Sequence, residues 1–157
     1  MIREELLHPA LTHFPIACLV LVCFTKVSYL FVTRKSKDLA QKLDFTSQFL
    51  LFVGAAMLLP SMFLGDMSLD IVKPQLDNII LAYQHEETAQ ICLGVFVLAL
   101  ALEVSLKFES IKNKYAGIIQ IIILLTLFVG NFFLIKTSHL GSKLVYEQGA
   151  GVILKND

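Results

Sequence analysis

Charge is scarce and balanced in this chain of 157 residues: 13 basic and 13 acidic residues cancel, and charged residues make up 17% of the whole. With a pI near 6.9 and no basic face interleaved with aromatics, nothing offers nucleic acid an electrostatic footing. Cysteine is scarce too. Cys18, Cys23 and Cys92 form no CxxC pair and no secreted disulfide framework, and all three fall in apolar runs, where small apolar packing is their ordinary role. Leu21 and Val22 ahead of Cys23 lack the small residues that lipoprotein processing needs. The familiar catalytic signatures are missing as well: no GxSxG elbow, no Walker loop, no GxGxxG fingerprint. No CxxCH occurs, so any haem would be held non-covalently. His85-Glu86-Glu87-Thr88-Ala89 begins as HExxH does but has alanine where the second histidine must stand, which excludes that type of metalloprotease. No low-complexity tract or convincing internal repeat stands out, and the chain reads as one domain over 1–157.

What the chain has in abundance is apolar length. Hydrophobic residues make up 56% and the mean hydropathy is +0.72, well outside the range of a soluble domain. Four stretches, about 10–33, 45–65, 80–105 and 116–137, are long enough to cross a hydrocarbon core as helices, which takes about 20 residues. The first follows Glu4 and Glu5, exceeds a signal h-region and lacks a small-residue cleavage site, so it is expected to persist in the mature protein. Basic residues set the orientation. Arg34, Lys35, Lys37 and Lys42 follow the first run, and Lys107, Lys112 and Lys114 follow the third. The other side holds Arg3, Lys73, Lys136, Lys143 and Lys155, with Asp66, Asp70, Asp77, Glu86 and Glu87 making the middle loop acidic. The expected protein is multi-pass in a bacterial inner membrane, with both termini periplasmic.

Backbone groups in lipid must be satisfied internally, so four runs with short connections predict an all-α, up-and-down four-helix bundle. The first and third helices would lie diagonally across its core. Pro9 suits a first helical turn, whereas Pro15, and Pro60 in the second run, would free carbonyls and bend the chain. Such bends toward one end fit either a polar pocket or an ordinary kink. Gly94 and Gly130 would lie at one depth, where they leave room for a flat cofactor or, more commonly, for close helix packing. Lys26 and Glu103 read as interfacial anchors that can pair if the first and third helices approach, and Asn131 as the donor of an interhelical hydrogen bond.

All four histidines, His8, His13, His85 and His139, fall at ends of apolar runs that alternating passes bring to one face. His13 lies one turn inside the first helix and His85 opens the third, so the two are the first choice as axial ligands of a b-type haem between opposed helices. His8 and His139 would then ligate a second metal or bond a haem propionate. Each also has a plainer role. His8 beside Pro9 is placed for capping or solvation, His85 sits in the polar patch Gln84 to Glu87, and His139 follows the last apolar turn. Zinc, held by three histidines, His13 and His85 among them, with Glu86 or Glu87, is the competing cofactor, and zinc or copper on the histidines and the acidic middle loop is a further reading.

Leu7-His8-Pro9-Ala10-Leu11-Thr12-His13-Phe14-Pro15-Ile16 resembles the LHPxLxHFPI start of the DUF2231 family of bacterial membrane proteins. Gly141-Ser142-Lys143-Leu144-Val145-Tyr146, with Gly149-Ala150-Gly151-Val152, resembles that family's GGxLVYxxGxGV tail, Ser142 replacing the second glycine. Gly65-Asp66 and His85 fall where the family pattern places a turn and a histidine. The resemblance implies a membrane bundle without an assigned reaction, and the joining of related domains to c-type cytochrome modules implies redox work. A site common to the family would rest on His8, His13 and His85, since His139 stands where many relatives carry another residue. The tail, 138–157, is expected to fold back as a short extended cover over the bundle mouth, with Gly149 and Gly151 making the turns.

The sequence thus predicts a histidine-lined pocket for haem b in electron transfer, served by a quinone or a cytochrome c partner within the bilayer. The alternatives are a non-enzymatic accessory subunit of a larger membrane complex and a zinc or copper protein.

Overall fold

Proline and glycine interrupt the apolar runs rarely, and the helices continue through Pro15, Gly54, Pro60, Gly94 and Gly130. A computed structural model describes residues 3–152, and four helices make up most of them: α1 Leu7–Val32, α2 Lys37–Val72, α3 Ile79–Ser105 and α4 Glu109–Gln148. Short 3-10 turns at Glu4–Leu6 and Lys73–Gln75 lead into α1 and out of α2. Ser36 caps α2 by accepting from the Leu39 N–H, and Asn78 caps α3 by accepting from the Ile80 N–H at 3.0 Å. Pro9 sits in the first turn of α1, and α1 continues through the buried Pro15.

All four helices are long and apolar enough to cross a membrane. Their exteriors carry exposed Phe24, Phe63, Phe132 and Ile135, while Leu19, Val22, Leu51, Phe96, Ile123 and Leu127 fill the interior. With lipid outside, apolar burial drives helix association little, so packing and polar contacts must hold the helices together. Gly54 lets α2 close on Leu19, and Gly130 lets α4 close on Phe96: an added Cβ would stand 2.7 Å and 2.8 Å from those side chains. Asn131 donates to Leu19 O at 3.3 Å and to Cys23 Sγ at 3.0 Å, the expected bond between α4 and α1.

Two helices outrun the apolar windows. α2 has 36 residues and α4 has 40, so each extends well beyond a hydrocarbon core of about 30 Å. Hydropathy marks only the part inside lipid, whereas backbone hydrogen bonding continues through polar residues until a breaker stops it. This corrects the extended cover expected over 138–157. Residues through Gln148 continue α4 as helix, which ends at a left-handed glycine: Gly149 adopts φ 68°, and the Ala150 N–H bonds Leu144 O at 3.0 Å. The chain turns back only there. Arg3 donates to Gly151 O at 2.6 Å and the Gly151 N–H donates to Gln75 at 3.2 Å, tying the turn to the start of α1 and the α2–α3 connection. Residues 153–157 of the expected tail lie outside the described residues.

The helices pair as two hairpins, α1 with α2 and α3 with α4. The lighter contacts between hairpins run from α2 to α3 and from α1 to α4. The same side-chain plan recurs in each hairpin, an internal repeat that sequence reading did not find. On α1 and α3 the matching positions are 77 apart: His8 and His85, Leu19 and Phe96, Lys26 and Glu103. On α2 and α4 the offset is one residue shorter, pairing Gly54 with Gly130, Ser61 with Thr137 and Gly65 with Gly141. His8 meets His85, and Lys26 meets Glu103, so an approximate two-fold axis runs along the bundle between matching residues of α1 and α3.

Candidate functional site

The end of the bundle where α1 and α3 begin holds two imidazoles prepared in the same way. His8 Nδ1 lies 2.7 Å from Ser61 O on α2, and His85 Nδ1 lies 2.9 Å from Thr137 O on α4. A carbonyl oxygen only accepts, so each Nδ1 carries the hydrogen and donates it, which in a neutral imidazole leaves the lone pair on Nε2. The sequence makes these bonds possible through Gly65 and Gly141, each four residues beyond the accepting carbonyl and therefore directly above it on the helix. Each ring rests on its glycine: an added Cβ would meet His8 Cε1 at 3.1 Å and His85 Cε1 at 3.0 Å. The two ring centroids are 6.2 Å apart with their planes 88° to one another.

Of the four expected site residues, the structure brings together His8 and His85. His13, the expected partner of His85, lies on the exposed side of α1, and its Nδ1 bonds back to Pro9 O in its own helix. About 1.4 turns separate His8 from His13, a rotation of about 140° within the continuous helix α1. His139 is exposed on α4, where its carbonyl accepts from Ser142. Among the described residues, no group of three or more His, Cys, Asp or Glu side chains is arranged to hold a metal ion.

The glycines divide differently from expectation. Gly130 serves the Phe96 packing, and Gly94 faces outward with nothing within 4 Å, so the two do not form one clearance. Gly65 and Gly141 do that work instead. A signal was available in the sequence, since a glycine in each long hairpin follows its histidine by nearly the same interval, but the flanking residues differ too much to show it.

At the opposite end, Lys26 and Glu103 pair, and Asp44 on α2 receives a second bond from Lys26 at 3.1 Å. Both partners are buried, Lys26 at 1% exposure and Glu103 at 4%, so they cross the core and do not snorkel. Beside them opens a cavity of about 560 Å³ between the hairpins, reached by Tyr29, Asp44, Gln48, Glu103, Lys107 and Gln120. Glu103 Oε2 and Gln120 Oε1 are buried there without a hydrogen-bond partner.

Comparison with curated proteins and with solved structures gives no match. The family model described as "Predicted membrane protein (DUF2231)" matches residues 5–153. That match covers both hairpins, both ends of the bundle and the closing turn, and the chain belongs to the DUF2231 family of predicted membrane proteins.

Proposed function

We propose that His8 and His85 are the two axial ligands of a non-covalent b-type haem, and that the protein transfers electrons at one face of the membrane. One observation carries this reading: two imidazoles from opposite hairpins, each held through Nδ1 by a backbone carbonyl, stand 6.2 Å apart. A metal between two rings, with metal–nitrogen bonds of about 2 Å on each side plus the ring half-widths, needs about that separation. Nδ1 donation to a carbonyl is also the usual second-shell device for fixing a ligating histidine, since it sets the tautomer and the ring orientation. A porphyrin supplies four nitrogens of its own, so two protein ligands are enough, whereas zinc takes three or four. The seam between the lightly joined hairpins is where a flat macrocycle would enter. The basic residues at the far end favour placing the histidine end outside the cytoplasm, within reach of a cytochrome c or a quinone.

The test is the oxidised and dithionite-reduced visible spectrum of detergent-purified protein made with ample haem. Sharp reduced bands are expected in wild type and in His13→Ala, and their loss in His8→Ala and in His85→Ala alike. A wild type without haem absorbance overturns the reading. Stoichiometric copper or zinc in the colourless protein would then favour a metal-binding role, and neither metal would favour an accessory subunit of a larger membrane complex.

A further inference from the structure

We propose that the cavity at the Lys26–Glu103 end binds the headgroup of a phospholipid that carries a primary ammonium. The ligand chemistry follows from what is left unsatisfied. Glu103 is 4% exposed, and its Oε2 has no partner because Lys26 is committed to Oε1 and to Asp44. Gln120 Oε1 is a second buried acceptor without a donor, and both residues line the same cavity. Buried polar atoms left unpaired are costly, most of all at membrane depth, so these two oxygens call for an external donor. Lys26 and Glu103 are buried and Asp44 is half-buried, and the three together have one negative charge in excess, so the donor that suits them is cationic. A primary ammonium offers three N–H donors and one positive charge in a compact group.

The rim supplies the other half of the headgroup. Lys107 and Lys112 border the same cavity and are exposed; Lys107 donates to Gln48 Oε1 at 2.8 Å and Lys112 pairs with Glu109 at 3.6 Å, exposed contacts that can be exchanged for a phosphate while the ammonium lies deeper. Glu103 falls two residues before the end of α3, which is headgroup level for a spanning helix, and all four helices contribute to the cavity wall. The acyl chains would run along the apolar exterior beside Ile118 and Ile121, both exposed. This site is at the opposite end of the bundle from the histidines and does not depend on the haem.

Phosphatidylcholine provides the discriminating control, because it has the same phosphate and net charge but a trimethylated nitrogen with no N–H. The full chain, offered equal phosphatidylethanolamine and phosphatidylcholine of identical acyl composition, is released from detergent in native mass spectrometry and its retained lipid is counted. The ethanolamine lipid is expected to be retained about tenfold over the choline lipid, the size of one charge-assisted hydrogen bond. Gln120→Leu should bring the two lipids close to parity, and Lys112→Ala should weaken both without changing their ratio. Equal retention of the two lipids by wild type, as water in the cavity would give, overturns the proposal. So does an unchanged preference in a Gln120→Leu protein whose helical circular dichroism matches wild type.

Discussion

The α1–α2 and α3–α4 hairpins follow one plan and differ in what they place on the shared axis. At one end the matching residues are identical, His8 and His85, each on its own glycine and bonded to its own neighbouring helix. At the other they are opposite, Lys26 and Glu103. Two like rings on a two-fold axis suit a ligand that is itself symmetric between them. Two unlike charges join one hairpin to the other. On the proposed reading the first end shares one ligand, whereas the second holds two different halves in one register.

Removing a charge should break that comparison most severely. Lys26→Met leaves Glu103 buried without its cation and should cost about 3–5 kcal/mol, read as a lowered unfolding temperature in detergent. Adding Glu103→Leu to that variant should restore most of the loss, because an apolar pair is tolerated where a lone charge is not. No restoration would mean that the hairpins are not joined through this pair.

The middle of the axis tests whether the halves are mechanically alike. Gly130→Ala drives a Cβ against the ring of the fully buried Phe96 and should cost about 1–3 kcal/mol. Gly54→Ala meets the branched end of Leu19, which can turn aside, so its cost should be the smaller of the two in the same unfolding assay. Equal costs would show that Leu19 is as rigidly held as Phe96.

At the histidine end the halves should answer separately. Gly65→Ala should displace the His8 ring and Gly141→Ala the His85 ring, each losing one hydrogen bond worth about 1 kcal/mol. Nitrogen NMR of labelled histidine checks this: wild type should show both rings protonated on Nδ1, and each variant should lose that signature in one ring. The smallest effect belongs to Gly94→Ala. Nothing lies within 4 Å of that position, so the change should be neutral or should stabilise α3 by up to about 1 kcal/mol of helix propensity, seen in the same melting curves.

The four crossings, the bundle and the pairing of Lys26 with Glu103 were legible in the sequence because they follow from apolar length and from the cost of charge in lipid. The helix ends were less so, since polar turns such as Ser138 to Gln148 continue a helix that hydropathy no longer reports. The histidine site was half legible. Residue type and the shared face selected the four candidates, but which of His8 and His13 meets His85 depends on a rotation of about 140° that only the docking of α1 on Gly65 settles. The repeat stayed hidden because it is a repeat of contacts, with Leu19 matching Phe96 and Lys26 matching Glu103, and not of letters.

By itself the sequence determined that this chain enters a membrane, how many times it crosses and which residues could carry chemistry. Composition and length fix those, because lipid penalises exposed polar backbone whatever the packing. Tertiary structure alone decided that His8 faces His85, that Gly65 and Gly141 seat the rings, and that Glu103 keeps one oxygen free beside a cavity. Those are properties of helix rotation and close approach, which apolar residues of similar hydropathy leave undetermined until specific side chains interlock.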